Sequence, residues 1–167
     1  MTRLKLDAIS KSFGAIKALD KVSLSLEAGR SLALIGPTAA GKSVLLKCLV
    51  GLYAPDSGTL SVDDAPVGVS QQRSAEMNAR IGMLFQQNAL FDSLPVWENI
   101  AFRLIANGMD RAEARKRAED LLPKVGLPVA NSDLFPADLS GGMQKRVGFA
   151  RAIATQPDIL LLDNPTA

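Results

Sequence analysis

The chain has 167 residues, of which 47% are hydrophobic and 22% are charged, and its formal net charge is +2. This length suits one hydrophobic core with a small appendage, and this composition excludes a disordered or fibrous protein. Because the 19 basic and 17 acidic residues form no long basic run, the sequence implies no dedicated nucleic-acid surface, and we expect no nucleic-acid partner.

The cysteine content and the N-terminus restrict the compartment. The single cysteine, Cys48, lies in the apolar stretch SVLLKCLVGL and has no second cysteine with which to pair, so we expect a small core residue in a reducing compartment. The opening MTRLKLDAIS lacks the apolar region of a signal peptide, and no window reaches about 18 uncharged apolar residues, the length of a membrane span. We expect a cytosolic chain, or one that rests on a membrane partner from the cytosolic side.

The first half of the chain is typical of strands around one helix. LKLDAIS and KVSLSLEAG alternate apolar and polar residues, which predicts two half-buried strands. SLALIG is a short apolar run that predicts a third strand, and GKSVLLKCLVGL is long and apolar enough for a buried helix. YAPDSGTLSVDD predicts a short strand between turns, and IGMLF predicts another buried strand.

The second half is predicted to be helical before it returns to a strand. Asp110 is placed to cap a helix, with Glu113 three residues later completing a capping box. Ser140 is placed to cap a second helix that stops before Pro157, and DILLLD follows as a buried strand. We predict an α/β domain over residues 1–167 that contains a helical subdomain at about 93–157.

GPTAAGKS, residues 36–43, matches the phosphate-loop pattern G-x-x-x-x-G-K-[ST] between a predicted strand and a predicted helix. In that context backbone N–H groups and the helix N-terminus bind phosphate, Lys42 reaches the outer phosphates, and the Ser43 hydroxyl can ligate Mg²⁺. The alternative is a glycine-containing turn that carries Lys and Ser by chance. These residues do not distinguish adenine from guanine.

Asp163 follows the apolar run ILLL, where a carboxylate can hold Mg²⁺ directly or through water. An aspartate that merely ends a buried strand is a common alternative. Paired with the phosphate loop, the position predicts the acidic partner of a nucleotide site.

The closing stretch LSGGMQKRVGFARAIATQPDILLLDNPTA resembles the signature helix and Walker B strand of the ATP-binding cassette (ABC) ATPases. The resemblance extends from Leu4 onward and implies the P-loop NTPase ABC fold, with an antiparallel β region at the N-terminus and a helical subdomain. It implies that Phe13 stacks on adenine, and that Gln86 contacts Mg²⁺ and the attacking water. It further implies that Ser140, Gly141 and Gly142 face the γ-phosphate of ATP on a second copy, which predicts a homodimer.

The predicted site combines nucleotide contacts, metal ligands and catalytic positions. ATP and Mg²⁺ are the expected cofactors, with Mg²⁺ at Ser43, Gln86 and Asp163, and with Gln86 and Asn164 at catalytic positions. The expected nucleotide contacts are Phe13, Gly36, Pro37, Thr38, Ala39, Ala40, Gly41, Lys42, Ser43, Val44, Ser140, Gly141 and Gly142.

Three stretches, LSGGMxKRVGxARAIA, GKSVLLKCLVGL and NALFDSLPVWENIAF, are similar to the ATPase subunits of the Mla-type (toluene-tolerance) phospholipid transporters. That similarity implies an ATPase on the cytoplasmic side of the inner membrane, bound to transmembrane permease subunits, with a periplasmic lipid-binding protein as a further partner. The ATPase of an amino-acid or other importer is the alternative. A DNA-repair or translation cassette is disfavoured, because the helical middle is short and lacks a coiled-coil insertion.

Three departures from the family pattern indicate a second class of function as an alternative. Val44 replaces a second hydroxyl, Asn164 occupies the position of the catalytic glutamate, and the chain contains no histidine to serve as the family's switch residue. Because the D-loop pattern is also missing after DNPTA, we expect a C-terminally truncated fold. An amide orients water but cannot accept its proton, so an ATP-binding subunit or fragment with impaired hydrolysis stands beside the transporter motor. Asn164 could instead simply end the strand while another group supplies the base.

Overall fold

The computed structural model describes residues 4–67, 75–86 and 89–165. The chain divides into two compact units, residues 1–78 and 79–167. No helix among the described residues has both the length and the apolar character needed to cross a bilayer.

The first unit is built on a four-stranded antiparallel sheet in the order β2-β1-β3-β4. Its strands are β1 (Leu4–Phe13), β2 (Ile16–Leu26), β3 (Ser57–Val62) and β4 (Ala65–Pro66). On β1 the alternation of LKLDAIS puts Leu4, Leu6 and Ile9 in the core, because successive strand side chains point to opposite faces. The antiparallel β region predicted for the N-terminus is confirmed.

Helix α1 (Lys42–Leu49) completes the first unit. It buries Leu45, Leu46, Cys48 and Leu49, which confirms both the predicted helix and the expected burial of the cysteine. It contacts β2, so the loop that precedes it is held beside the sheet.

The prediction of a strand at SLALIG is wrong. Residues 27–41 are described and contain no strand, and the side chain of Ile35 is 94% exposed. The pattern alone could not reveal this, because an apolar run becomes a buried strand only where neighbouring strands accept its backbone hydrogen bonds. The four strands of this unit pair with one another and leave the run unpaired.

The second unit combines a short parallel sheet with a helical cluster. A short helix, α2 (Ala75–Ala79), spans the boundary between the units, and β5 (Ile81–Leu84) then pairs in parallel with β6 (Ile159–Leu162) from Ile81↔Ile159 to Leu84↔Leu162. Gly82 is required on β5, because a Cβ there would overlap the carbonyl oxygen of Ala152 and lie 2.8 Å from Cγ of Pro157. Both predicted strands, IGMLF and DILLLD, are confirmed.

Three helices lie between these strands in the chain: α3 (Val96–Ala106), α4 (Arg111–Leu121) and α5 (Gly141–Ile153). Short 3₁₀ turns at Pro123–Val125, Val129–Asn131 and Pro136–Asp138 connect α4 to α5. A common core of buried residues, including Ile100, Leu122 and Val147, packs these helices together. Helical structure is therefore found where the sequence predicts it, between Ser93 and Pro157.

Both predicted helix caps are present. The Asp110 carboxylate accepts hydrogen bonds from the backbone N–H of Ala112 at 2.9 Å and of Glu113 at 3.2 Å. The Ser140 hydroxyl accepts one from the backbone N–H of Met143 at 3.3 Å. Such caps satisfy N–H groups that have no partner within the helix, so α4 and α5 begin where these polar residues stand.

Candidate functional site

In the loop over residues 36–43, the lysine side chain folds back onto the backbone of the loop. Lys42 Nζ donates hydrogen bonds to the carbonyl oxygens of Gly36 and Pro37, each at 2.7 Å. A turn that includes Thr38 keeps the loop compact, since Ala40 N–H donates to the carbonyl of Pro37 at 3.3 Å. The loop thus holds a positive charge at its centre, which suits an anionic ligand.

Gly41 is the residue that lets α1 begin at this place. Its φ is 84°, in the left-handed region, and a Cβ there would overlap the carbonyl oxygen of Ala18 and lie 3.1 Å from Cδ2 of Leu19. No side chain caps the helix, although the first N–H groups of any helix lack intrahelical partners. A helix start of this kind attracts phosphate oxygens.

The loop and helix start fit a polyphosphate with a bound cation. The ammonium of Lys42, the N-terminus of α1 and the Ser43 hydroxyl are the groups that phosphate and Mg²⁺ require. Ala39 has a φ of 65°, an uncommon conformation for a residue with a side chain. Val44, the next residue after Ser43 on α1, offers no second hydroxyl.

Phe13 lies at the tip of the β1–β2 hairpin and is 43% exposed. Its ring makes an edge contact with Tyr53, with centroids 5.3 Å apart and an interplanar angle of 71°. Phe13 and the phosphate loop belong to the same unit. An exposed aromatic ring at this hairpin tip can offer a face to a base.

In the second unit, the predicted polar residues Gln86 and Asp163 lie just beyond the ends of β5 and β6. Asp163 directly follows β6, and its backbone N–H donates to the carbonyl of Leu84, the last residue of β5, at 3.0 Å. Gln86 lies two residues beyond β5 and is exposed, whereas Asp163 is 8% exposed. Because parallel strands end at the same edge, the structure brings these two segments together.

The backbone conformation at position 164 favours asparagine. Its φ is 54°, and Asn adopts this left-handed conformation more readily than most residues that carry a side chain. The residue is exposed and follows the buried Asp163 directly. An amide at this turn is therefore favoured by the backbone, independently of any role in chemistry.

The stretch at the start of α5 is open to solvent. Ser140, Gly141 and Gly142 are exposed, and a Cβ at either glycine would meet no atom within 4 Å. The Ser140 oxygen accepts the N–H of Met143, so its own proton can still be donated outward. The arrangement suits an anion brought by another molecule, because no atom of the described residues fills the space beside either glycine.

Two residues that were not predicted from the sequence, Gln144 and Arg151, fix backbone segments of the second unit through side-chain hydrogen bonds. Gln144 Nε2 donates to the carbonyls of Pro136 at 2.9 Å and Leu139 at 3.4 Å, which fixes the chain before Ser140. Arg151, also on α5, donates from Nη1 to the carbonyl of Ala89 at 2.8 Å, and burial lowers its pKa. The only sequence signal for either residue is that a polar side chain occurs on an otherwise apolar stripe of the helix.

The predicted site residues divide between the two units. The phosphate loop and Phe13 lie in the first, and Gln86, Asp163, Asn164 and the Ser140 stretch lie in the second. A cleft shared by Lys42 and Asp163 therefore stays a prediction.

Within the described ranges, no group of three or more His, Cys, Asp or Glu side chains could hold a metal ion. Mg²⁺ in nucleotide sites commonly uses one or two carboxylates together with phosphate oxygens and water. The donors predicted here, a hydroxyl, an amide and one carboxylate, fit that mode of binding.

Comparison with known proteins gives a consistent result. The family profile described as ABC transporter matches residues 19–167. The chain is 41% identical to a methionine import ATP-binding protein, MetN, of Rhizobium johnstonii over 98% of its own length. It is 39% identical, again over 98% of its length, to the arginine transport ATP-binding protein ArtM of Bacillus subtilis.

The fold is matched as well. A dimeric structure of a post-hydrolysis state of the ATP-binding cassette MJ0796, bound to ADP and Pi, superposes with a TM-score of 0.87 at 33% identity. That match covers 98% of this chain and 74% of MJ0796. The chain spans 45% of the length of the MetN relative and 68% of that of ArtM.

Proposed function

Because the chain belongs to the ABC transporter family, we propose that it is the ATP-binding and ATP-hydrolysing subunit of a transporter. The observation that carries the proposal is the loop over residues 36–43, in which the Lys42 ammonium sits between two backbone carbonyls at the start of an uncapped helix. We further propose that residues 1–167 belong to one nucleotide-binding domain, with a helical subdomain at about 93–157.

In this proposal Lys42 exchanges partners when nucleotide binds. The lysine gives up the carbonyls of Gly36 and Pro37 and donates to the outer phosphates, while the N–H groups at the start of α1 bind phosphate oxygens. Phe13 supports the adenine ring, which supplies the preference for a nucleotide over a bare polyphosphate. The loop thus provides charge and the hairpin tip provides base contact.

Ser43, Gln86 and Asp163 would hold Mg²⁺, whose charge offsets the negative charge of the phosphates during phosphoryl transfer. The buried position of Asp163 at the end of β6 keeps its carboxylate in one place. Gln86, from the neighbouring strand end, can also donate to or accept from the attacking water. Asn164 can orient that water but cannot take its proton, so we propose that hydrolysis by this chain is slow.

We propose that a second copy of the chain completes each nucleotide site. Ser140 and the glycines that follow it are exposed and present a hydroxyl and a helix N-terminus to solvent. The MJ0796 structure is dimeric and bound to ADP and Pi. The proposed dimer places the start of α5 of one copy over the γ-phosphate held by the other.

Binding of MgATP tests the proposal directly. Lys42→Ala in the whole protein should weaken MgATP binding in calorimetry by at least about tenfold, since it removes a hydrogen bond to a charged group. Lys17→Ala is the matched control, because Lys17 is an exposed lysine of the same unit that pairs with Asp20 at 2.9 Å. Equal MgATP affinities for the two variants would refute the assignment of the loop.

For the transported substrate we propose an amino acid. The relatives that support this are MetN and ArtM, which are named for methionine and arginine. The phospholipid hypothesis rests on the local similarity of LSGGMxKRVGxARAIA and its companion stretches to Mla-type ATPases, and these relatives do not support it. In either case permease subunits would provide the membrane path, with this chain on their cytoplasmic face.

The two substrates can be separated in the assembled transporter. The whole ATPase with its permease, reconstituted in lipid nanodiscs, should hydrolyse ATP faster when an amino-acid-loaded binding protein is added. Stimulation by a lipid-loaded periplasmic protein, with no response to amino acids, would replace the amino-acid proposal with the phospholipid one.

A further inference from the structure

The hairpin that carries Phe13 extends beyond the strand that supports it. On β1 the last residue paired with β3 is Ser10, which faces Ser57, whereas pairing with β2 continues to Phe13↔Ile16. The tip of the hairpin therefore lacks strand support on its β3 side. A two-stranded ribbon is only marginally stable by itself, so other contacts must fix the direction of the Phe13 ring.

Asp56, the residue just before β3, supplies the missing contacts with its side chain. Its Oδ1 accepts from Lys11 Nζ at 2.8 Å and its Oδ2 accepts from the backbone N–H of Ser12 at 2.6 Å. Its own N–H donates to the carbonyl of Ser10 at 2.8 Å. One residue thus binds the three residues that immediately precede Phe13.

Neighbouring hydrogen-bond donors stabilise the charged form of the Asp56 carboxylate. The hydrogen bond from Lys11, followed by that from Ser12, lowers the pKa of Asp56 below its ordinary value. Lys11 Nζ also lies 5.6 Å from the centroid of the Phe13 ring, within the range of a cation–π contact. The ion pair and the ring are therefore parts of one cluster.

Tyr53 links the same ring to the helix that begins at the phosphate loop. It follows α1, and its N–H donates to the carbonyl of Lys47 at 3.3 Å. Lys47 Nζ lies 5.6 Å from the centroid of the Tyr53 ring, and that ring meets Phe13 edge-on. A continuous set of contacts therefore runs from α1 through Tyr53 to Phe13.

We propose that Asp56 and Tyr53 are positioning residues for base recognition: Asp56 fixes the backbone before Phe13, and Tyr53 fixes its ring. The inference rests on the proposed function, because it takes Phe13 to be the support for the adenine ring. It predicts that the two residues act on the base of the nucleotide and leave the phosphates unaffected. Neither contacts the ligand, and both act through Phe13.

The experiment compares MgATP with magnesium inorganic triphosphate in calorimetry of the whole protein. Tyr53→Leu and Asp56→Asn should each weaken ATP binding by about 3- to 10-fold, the scale of an aromatic pair or of one ordinary hydrogen bond. Binding of inorganic triphosphate should change by less than about twofold, since Lys42 and the loop are untouched. Tyr53→Phe, which keeps the ring, should restore ATP affinity.

Two controls separate positioning from general destabilisation. Asp20→Asn removes an exposed ion pair of the same unit and should leave both affinities at the wild-type value. In a Phe13→Ala background, Tyr53→Leu should weaken ATP no further, because a residue that acts through Phe13 has nothing left to position. Thermal melting of each variant checks that it is folded, and if Tyr53→Leu does not fold, Asp56→Asn carries the test.

The outcomes are distinct. If the wild-type protein binds ATP and inorganic triphosphate equally, or binds neither, the proposed function fails and the inference with it. If Phe13→Ala weakens ATP selectively but Tyr53→Leu and Asp56→Asn do not, the proposed function stands and this inference is overturned. Parallel losses of ATP and triphosphate in the two variants would also overturn it.

Discussion

Replacement of Asn99 should destabilise the second unit more than its single amide group suggests. The residue is fully buried on α3, and its side chain bonds to the backbone of residues 91–95, which precede the helix. Its Oδ1 accepts from Phe91 N–H at 2.8 Å, and its Nδ2 donates to the carbonyls of Phe91 at 3.0 Å and Leu94 at 2.8 Å. Its Nδ2 also donates to the carbonyl of Pro95 at 3.3 Å, so one side chain satisfies four backbone groups.

The magnitude follows from these contacts. Asn99→Ala removes four side-chain hydrogen bonds at about 1 kcal/mol each, so we expect a cost of about 3–5 kcal/mol. Asn99→Asp keeps the acceptor for Phe91 N–H but points a carboxylate oxygen at three carbonyls. Burial and those carbonyls raise the pKa of the introduced carboxyl, so its penalty should be full at high pH and should decrease as pH falls through that raised pKa.

Urea unfolding of the whole protein at pH 7.5 and pH 5.5 measures both effects, with the slope m used to check two-state behaviour. Asn107→Ala is the matched control, because Asn107 is exposed at the end of the same helix, and its cost should be within about 0.5 kcal/mol. Equal costs for Asn99→Ala and Asn107→Ala would refute the reasoning. A penalty for Asn99→Asp that grows at lower pH would show that the sign is wrong.

Three further outcomes are expected. Asn164→Glu, measured in the whole protein with its permease, should raise ATP hydrolysis by about 10²–10⁴-fold; an unchanged rate would mean that Asn164 serves the left-handed turn and that the base lies elsewhere. Ile100→Ala should cost about 2–5 kcal/mol in urea unfolding because Ile100 is fully buried, whereas Val129→Ala, at an exposed position, should cost less than about 0.5 kcal/mol. Burial raises the pKa of the Cys48 thiol, so maleimide should label it at least about tenfold more slowly in folded than in urea-unfolded protein; equal rates would contradict its burial.

Several features of the fold could be predicted from local patterns alone. The alternation in LKLDAIS, the apolar helix after GPTAAGKS and the caps at Asp110 and Ser140 each depend on residues within a few positions of one another. Hydrogen bonds and side-chain periodicity at that range are properties of the chain segment itself. These elements therefore appear in the structure close to their predicted bounds.

The family could be identified from sequence for a related reason. GPTAAGKS and LSGGMQ encode particular backbone conformations and particular ligand groups, and the ABC transporter profile matches residues 19–167. The finer assignment to phospholipid transport depended on a few positions such as Met143. That residue packs against the helical core, and a packing residue carries little information about a substrate that other subunits bind.

The sequence by itself determined the local elements and the chemistry available to them: a phosphate loop with its lysine, two capped helices, and an aspartate at the end of an apolar strand. Only the tertiary structure decided that SLALIG stays unpaired, that Asn99 satisfies the backbone of residues 91–95, and that Asp56 and Tyr53 hold the Phe13 hairpin. The hairpin contacts join groups across long separations, such as the 45 positions between Lys11 and Asp56, and the Asn99 contacts join a helix to the irregular segment before it. A local pattern specifies what a segment can form, but the partners of its backbone and polar groups exist only once distant segments have packed together.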